Sequence, residues 1–284
     1  MTDASSLSEL RQRVPDAFKV SPRVRLMRYA GAAALILPLI AGFYLFDFSP
    51  ARILNGLSRL GMIFSFMFPP YIWTTWQEWS DVLVGLGQTI SMAFLGTLLG
   101  ALVAFPLAFL GAKNIMPLGW VRLSTRRGFD ALRAVEQIVL ALIFIRAFGL
   151  GPLPGVFAIA VSEIGTFAKL FSEAIENTSR KPVDGVLASG GGPLQTIRLA
   201  IMPQAMPVIL SIMLYNFESN TRSGTILGIV GAGGIGFLLA DRIAAYRWPE
   251  AWTIIFLIVA VVYAIDLTSA WLRGKIIGKN DSVR

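Results

Sequence analysis

The stretch from Val82 to Leu110, VLVGLGQTISMAFLGTLLGALVAFPLAFL, decides the fold class. Its 29 residues carry no charge. A helix rising about 1.5 Å per residue needs only roughly 20 mostly apolar residues to cross a hydrocarbon layer about 30 Å thick. The run therefore predicts a membrane-spanning helix with length to spare, tilted or kinked near Pro106. Gly96 and Gly100 form a G-x-x-x-G pair, with Thr89, Ser91 and Thr97 nearby, and small residues of this kind let helix backbones approach closely in lipid.

Further apolar runs lie on both sides: Tyr29 to Phe46, Leu132 to Phe148, Val156 to about Ser172, about Leu199 to Phe217, and about Ala251 to Leu272. With the first they make about six spans, an all-α integral membrane protein. The connection Gly149 to Gly155 is too short to hold a domain. Arg52 to Phe68 places Arg52, Asn55, Ser58 and Arg59 at helical spacing in an apolar background, which suits a helix lying in the interface. Trp73, Trp76 and Trp79 follow as an aromatic belt. Thr221 to Ala240 is apolar but glycine-rich, and each interior Gly costs a straight helix about 1 kcal/mol relative to Ala. A broken or re-entrant segment buried in protein is expected there.

The whole chain agrees with a lipid environment. Of its 284 residues 55% are hydrophobic and 15% charged, against about a quarter charged in soluble domains. There is no Cys and no His, so disulfides and thiol chemistry are excluded and the commonest general base and metal ligand are missing. No metal site and no catalytic residues are expected. The first apolar run is too long, and starts too late, for a cleaved signal peptide, so it reads as a retained first helix.

The net charge of +8 is explained by placement. With both termini in the cytoplasm, 19 of the 25 Lys and Arg fall inside, in the arm 1 to 28, between Lys113 and Arg133, between Lys169 and Arg198, and after Leu272. That is the positive-inside pattern of a multi-pass membrane protein, and it needs no nucleic-acid partner. The expected organisation is a basic cytoplasmic arm over 1 to 28, a transmembrane domain over 29 to 272 with a cytoplasmic loop at 173 to 203, and a cytoplasmic tail over 273 to 284.

The string Gly231-Ala-Gly-Gly-Ile-Gly236 satisfies G-x-G-x-x-G, but the strand-turn-helix context of a dinucleotide site is absent. Close backbone packing is the better reading. No G-x-x-x-x-G-K-[ST] loop occurs, so ATP-driven work would need another subunit. The polar segment Glu173 to Arg198 carries Val183, Val186, Leu187, Leu194 and Ile197 at helical spacing, interrupted by Gly190-Gly-Gly-Pro193. A short amphipathic helix, a glycine turn and a second helix make a knob suited to a partner's groove; a solvated loop is the alternative.

Here the chain resembles the permeases of ABC importers, whose coupling loop has the form E-A-A, three residues, G, nine residues, I-x-L-P. Asp184-Gly185-Val186 stands at the acidic-small-small positions, Gly190 follows after three residues, and Pro203 closes the loop, with Met202 for the Leu and Ala200 for the Ile. The run Gln88 to Gly100, Phe105-Pro-Leu-Ala-Phe-Leu110, Arg146 to Gly155 and Thr225 to Gly236 resemble the phosphonate type, and the likeness covers roughly residues 60 to 275.

The resemblance implies a type I ABC importer permease bundle that pairs with a second copy, expected as a homodimer. ATP-binding subunits would dock on Val183, Asp184, Gly185, Val186, Leu187, Gly190 and Pro203. ATP and Mg would be used by those partners, with no cofactor on this chain and no enzymatic activity of its own. A periplasmic or lipid-anchored binding protein would deliver a phosphonate, phosphite or phosphate-like oxyanion, moved by alternating access. The gate or path would include Gly231, Gly233, Gly234 and Gly236, with Glu218, Arg222 and Arg146. The rival readings are a methionine or amino-acid importer permease and a stand-alone secondary transporter, the latter expected to show internal repeats not found in the sequence.

Charges at membrane depth are costly, which singles out Glu136, Arg146, Glu163, Glu218 and Arg222. Glu218 and Arg222 share a helix face, and pairing is preferred to substrate contact. Arg146 could snorkel or meet an anion. Arg146, Arg222, Arg242 and Arg247 either give the outer path a positive field or pair with Glu163, Glu218 or Asp241.

Overall fold

The computed structural model describes Pro22 to Ile277, and among these residues the chain is helical without β-strand. Residues 1 to 21 and 278 to 284, which hold most of the expected arm and tail, lie outside the described ones. The chain divides into two units, Met1–Ser65 and Phe66–Arg284.

In the first unit, α1 (Pro22–Leu45) is long and apolar enough to span a membrane. It begins seven residues before the expected Tyr29, so Arg23, Arg25 and Arg28 are helical rather than part of an unstructured arm. A four-residue corner leads to α2 (Pro50–Ser65).

The second unit comprises α3 (Trp76–Gly111), α4 (Gly119–Arg133), α5 (Gln137–Phe148), α6 (Pro152–Glu176), α7 (Arg180–Ala188), α8 (Pro193–Thr196), α9 (Met202–Leu227), α10 (Gly234–Ala244) and α11 (Trp248–Ile277). Among the described residues five helical runs have the length and composition of spans: α1, α3, α6, the run Pro193–Ala232 and α11.

The central packing is α3 against α6. A Cβ on Gly96 would lie 2.6 Å from Ile159 Cβ, and one on Gly100 would lie 2.7 Å from Glu163 Cβ, so the G-x-x-x-G pair is the face on which α6 rests. Further along α3, Ala101, Ala104 and Ala108 continue the small face, and the buried rings of Phe167 and Phe171 stack at 5.1 Å in the same core. Small side chains on one helix leave the volume that large ones on the other fill.

Two expected spans come out differently. Leu132 to Phe148 is not one helix: α4 closes with Ala134 N–H on Ala131 O, Glu136 is extended, and α5 has 12 residues, only about 18 Å. The cause is tertiary. Phe129 of α4 is buried, with its ring beside Gly111 and its carbonyl beside Gly165, so α4 is docked on α3 and α6 by a contact that hydropathy does not encode.

The fifth span starts earlier and ends later than Leu199 to Phe217: a π-helical turn at Ile197–Ile201 extends it at the start, and α9 itself runs on to Leu227, followed by a second π-type turn at Gly228–Ala232 that kinks at Gly231. The first of these turns meets Pro203, which lacks an N–H and crowds the carbonyl four residues back. Met202 N–H bonds instead to Ile197 O, five residues back, so the helix passes the proline without breaking.

Candidate coupling and gate regions

The segment between α6 and α9 is built by capping. α7 ends in a Schellman motif: Gly191 N–H donates to Val186 O at 2.9 Å and Gly190 N–H to Leu187 O at 3.0 Å, with Gly190 at φ +83°. A second helix begins at once. Pro193 takes its first position, and Gln195 Oε1 accepts the Gly192 N–H at 2.8 Å. The result is a compact helix-turn-helix knob with no buried residue on α7. Leu187 is 52% and Leu194 78% exposed, and Asp184 is exposed beside them. Val183 and Val186 are half-buried, and Val183 packs against the core that holds Ile201 and Ile209. Gly185 faces open space, and Pro203 sits at the root of α9.

Residues that the sequence reading passed over anchor this knob. Gln204 Oε1 accepts the Ser179 N–H at 3.0 Å, while its Nε2 donates to Ala200 O at 2.7 Å, tying the start of α7 to α9. Glu176 Oε1 accepts from Arg126 Nη2 at 2.8 Å and from the Lys113 amide; Arg126 Nε also donates to Gly111 O at 3.0 Å. Asn114 Nδ2 donates to Ile175 O at 2.8 Å. The one local signal was a polar Gln204 between apolar neighbours. Its partner lies 25 residues away.

The glycine run is a kinked turn between α9 and α10, held by α3. Gly231, Gly233 and Gly234 all have φ between +72° and +110°. Gln88 Oε1 accepts the Gly234 N–H at 3.1 Å and Thr89 Oγ1 the Ile235 N–H at 3.0 Å, so side chains of α3 satisfy the orphan donors at the start of α10. Thr89 Oγ1 passes its own proton to Gly85 O at 3.1 Å. A Cβ on Gly228 would lie 2.5 Å from Gly233 O, one on Gly234 would strike Thr89 Oγ1, and one on Gly236 would strike Thr225 O. The Gly231 carbonyl accepts from Gly151 N–H at 3.2 Å, which links the run to the turn before α6. Close packing accounts for G-x-G-x-x-G in this chain.

The charged candidates fall into pairs. Glu218 is buried, with Arg222 at 3.0 Å and Arg273 at 3.5 Å. Arg242 Nε approaches Glu250 Oε2 to 2.9 Å without the alignment of a hydrogen bond, its Nη1 reaches Asp241 at 3.0 Å, and Arg247 joins the same Glu250. Arg146 is exposed in the last turn of α5 and has no salt bridge among the described residues. Glu136 lies at the start of α5.

Glu163 is 4% exposed and belongs to a polar network that joins four helices. Asn220 Nδ2 donates to Glu163 Oε1 at 2.9 Å and to Thr97 Oγ1 at 3.0 Å, and Gln137 Nε2 donates to Asn220 Oδ1 at 3.1 Å. Asn220 and Gln137 were not singled out from the sequence. Among the described residues no group of three His, Cys, Asp or Glu could hold a metal.

Residues 96–277 match the family of binding-protein-dependent transport system inner membrane components. A phosphate-import permease of Mycolicibacterium smegmatis is 33% identical over 94% of this chain, which spans 50% of that relative's length. A phosphite transport system permease of Stutzerimonas stutzeri is 32% identical over 87% of this chain and 89% of its own. Among solved structures, a chain of the MetNI methionine ABC transporter in inward-facing conformations superposes with a TM-score of 0.64 at 18% identity. That match covers 72% of this chain and 99% of the other, a likeness of fold.

Proposed function

Because the chain belongs to the family of binding-protein-dependent transport system inner membrane components, as a phosphonate-type ABC importer permease of the inner membrane, we propose that it carries phosphonate, phosphite or phosphate-like oxyanions inward in a cycle driven by ATP hydrolysis on partner subunits. The observation that carries this reading is the capped knob of α7 and α8. Two exposed leucines and an aspartate flank a turn whose shape is set by backbone hydrogen bonds, while Gln204, Glu176 and Arg126 tie its base to the bundle. A surface feature rooted this firmly passes a push from a partner into the bundle rather than absorbing it.

In this reading ATP-dependent closure of two partner subunits drives the knobs of two permease copies together and rocks the bundles between inward-facing and outward-facing states. A binding protein delivers the oxyanion on the far side. The glycine run stands at the gate, where the lack of side chains at the α10 start lets Gln88 and Thr89 of α3 reach its backbone amides. This reading puts both termini on the cytoplasmic side, and the distribution of Lys and Arg supports it. Arg146 is the unpaired cation available to an oxyanion near the path, since Arg222, Arg242 and Arg247 are engaged by carboxylates.

The test is transport by proteoliposomes that hold the complete importer with ATP, offered phosphonate, phosphite, phosphate and methionine in turn. Uptake of one or more oxyanions is expected. Uptake of methionine and none of the oxyanions would overturn the substrate class and leave the transporter architecture standing.

A further inference from the structure

The corner between α1 and α2 is defined by backbone and side-chain hydrogen bonds. α1 ends in a Schellman motif: Phe48 N–H donates to Phe43 O at 3.1 Å and Asp47 N–H to Tyr44 O at 3.3 Å, with Asp47 at φ +49°. The rings of Phe43 and Phe48 meet edge to face at 4.8 Å, the apolar contact that accompanies such a stop. Ser49 then caps α2, its Oγ accepting the Arg52 N–H at 3.2 Å, with Pro50 in the first helical position. Asp47 closes the corner with a 2.8 Å ion pair to Arg52.

This corner puts α2 four residues beyond the end of a membrane-length helix. α2 has 16 residues, about 24 Å, which is short of a crossing. Its residues sort by face. Ile53, Leu57 and Leu60 form one exposed apolar stripe, and Arg52, Asn55 and Arg59 lie on the opposite side. The helix contains no acidic residue. Arg52 is held by Asp47, which leaves Arg59 as the one cation of α2 without a salt bridge to the described residues.

We propose that α2 lies flat in the headgroup layer and selects anionic phospholipid, with its leucine stripe in the acyl boundary and Arg59 on the lipid phosphate. A helix tethered this close to a span has the membrane surface within reach, and its one-sided polarity and basic face match an anionic interface. Arg52 serves the corner and contributes less to lipid choice.

The chain has no Cys, so a bimane probe can be placed at one position through Leu57→Cys or Asn55→Cys in the full chain reconstituted into bilayers. At position 57, brominated phosphatidylglycerol is expected to quench roughly two- to fivefold more than brominated phosphatidylcholine at equal mole fraction. Position 55 is expected to be quenched by aqueous iodide instead. Arg59→Gln should bring the two lipids to parity, and Arg59→Lys should keep the preference, with size-exclusion elution unchanged in both.

Equal quenching by the two lipids in the unsubstituted helix would overturn the selection of anionic lipid. A probe at position 57 that iodide reaches would overturn the membrane contact. A probe shielded from iodide and from both lipids would show that protein, such as a second copy of the chain, covers the face.

Discussion

At Gly190 the backbone takes φ +83° and nothing lies within 4 Å of where a Cβ would sit, whereas at Gly236 a Cβ would run into Thr225 O. Gly190 lies in the turn after α7, and Gly236 lies in the first turn of α10, just past the glycine kink. The first is glycine because of the backbone torsion that its exposed turn needs. The second is glycine because two strands of backbone must touch. One turn is open to a partner and the other is closed inside the bundle, so substitutions should separate shape at the surface from packing in the interior.

The largest effect on stability is expected from Gly236→Ala. Overpacking a filled interior costs about 1–3 kcal/mol, and here the obstructing atom is backbone rather than a movable side chain tip. Thermal unfolding of the purified permease should shift down and oxyanion uptake should fall with it. An unchanged melting temperature would break the contrast, because α9 and α10 would then have slack that the structure denies.

Next comes Thr89→Val, which keeps the volume but removes the acceptor of the Ile235 N–H. An unsatisfied buried amide costs about 1–3 kcal/mol, so the same melting experiment should register a smaller loss, with Thr89→Ser close to the parent. If Ser and Val behave alike, the clamp on α10 is packing rather than hydrogen bonding.

Gly190→Val is expected to cost about 1–2 kcal/mol for a left-handed torsion in an L residue, confined to the knob. The bundle should melt at the parental temperature while ATP hydrolysis by the assembled importer is no longer matched by uptake. Gly190→Asn, which tolerates that torsion better, should recover part of the coupling. Normal coupling in the valine variant would argue against the docking role of α7 and α8.

The smallest effect belongs to a partly exposed ion pair between α4 and α6. Lys169 Nζ donates to Asp130 at 2.9 Å, and this hydrogen bond holds the Asp130 carboxyl below its ordinary 3.8. A carboxylate whose folded value is depressed stabilises the fold above its unfolded value, and the contribution is lost as pH falls through the folded value. Asp130→Asn should therefore lower the melting temperature slightly near neutral pH, less so in high salt, and should converge with the parent once the pH has fallen through the depressed value of the folded carboxyl. A difference that persists in acid would assign the effect to packing of α4 instead.

The contrast also shows which features were legible in the chain itself. The Schellman stop at Gly190, the Pro193 start and the amphipathic spacing of α7 are local, so Gly190-Gly-Gly-Pro193 was enough to read a helix-turn-helix knob. The glycine run was legible as a break in a helix, but its clamp was not. Gln88 and Thr89 meet Gly234 and Ile235 across 146 positions of sequence.

Hydropathy, capping residues and the distribution of Lys and Arg by themselves determined a multi-span helical membrane protein, its breaks, and a polar knob between two spans. These signals act within one or two helical turns or through transfer from water to lipid, and both are properties of a short stretch of chain. The split of Leu132 to Phe148 into α4 and α5, the pairing of Arg242 and Arg247 with Glu250, and the meeting of Thr97, Gln137, Glu163 and Asn220 were decided only by tertiary structure. In lipid the apolar faces of different helices are nearly equivalent, so small-residue contacts and a few long-range polar bonds choose which faces meet.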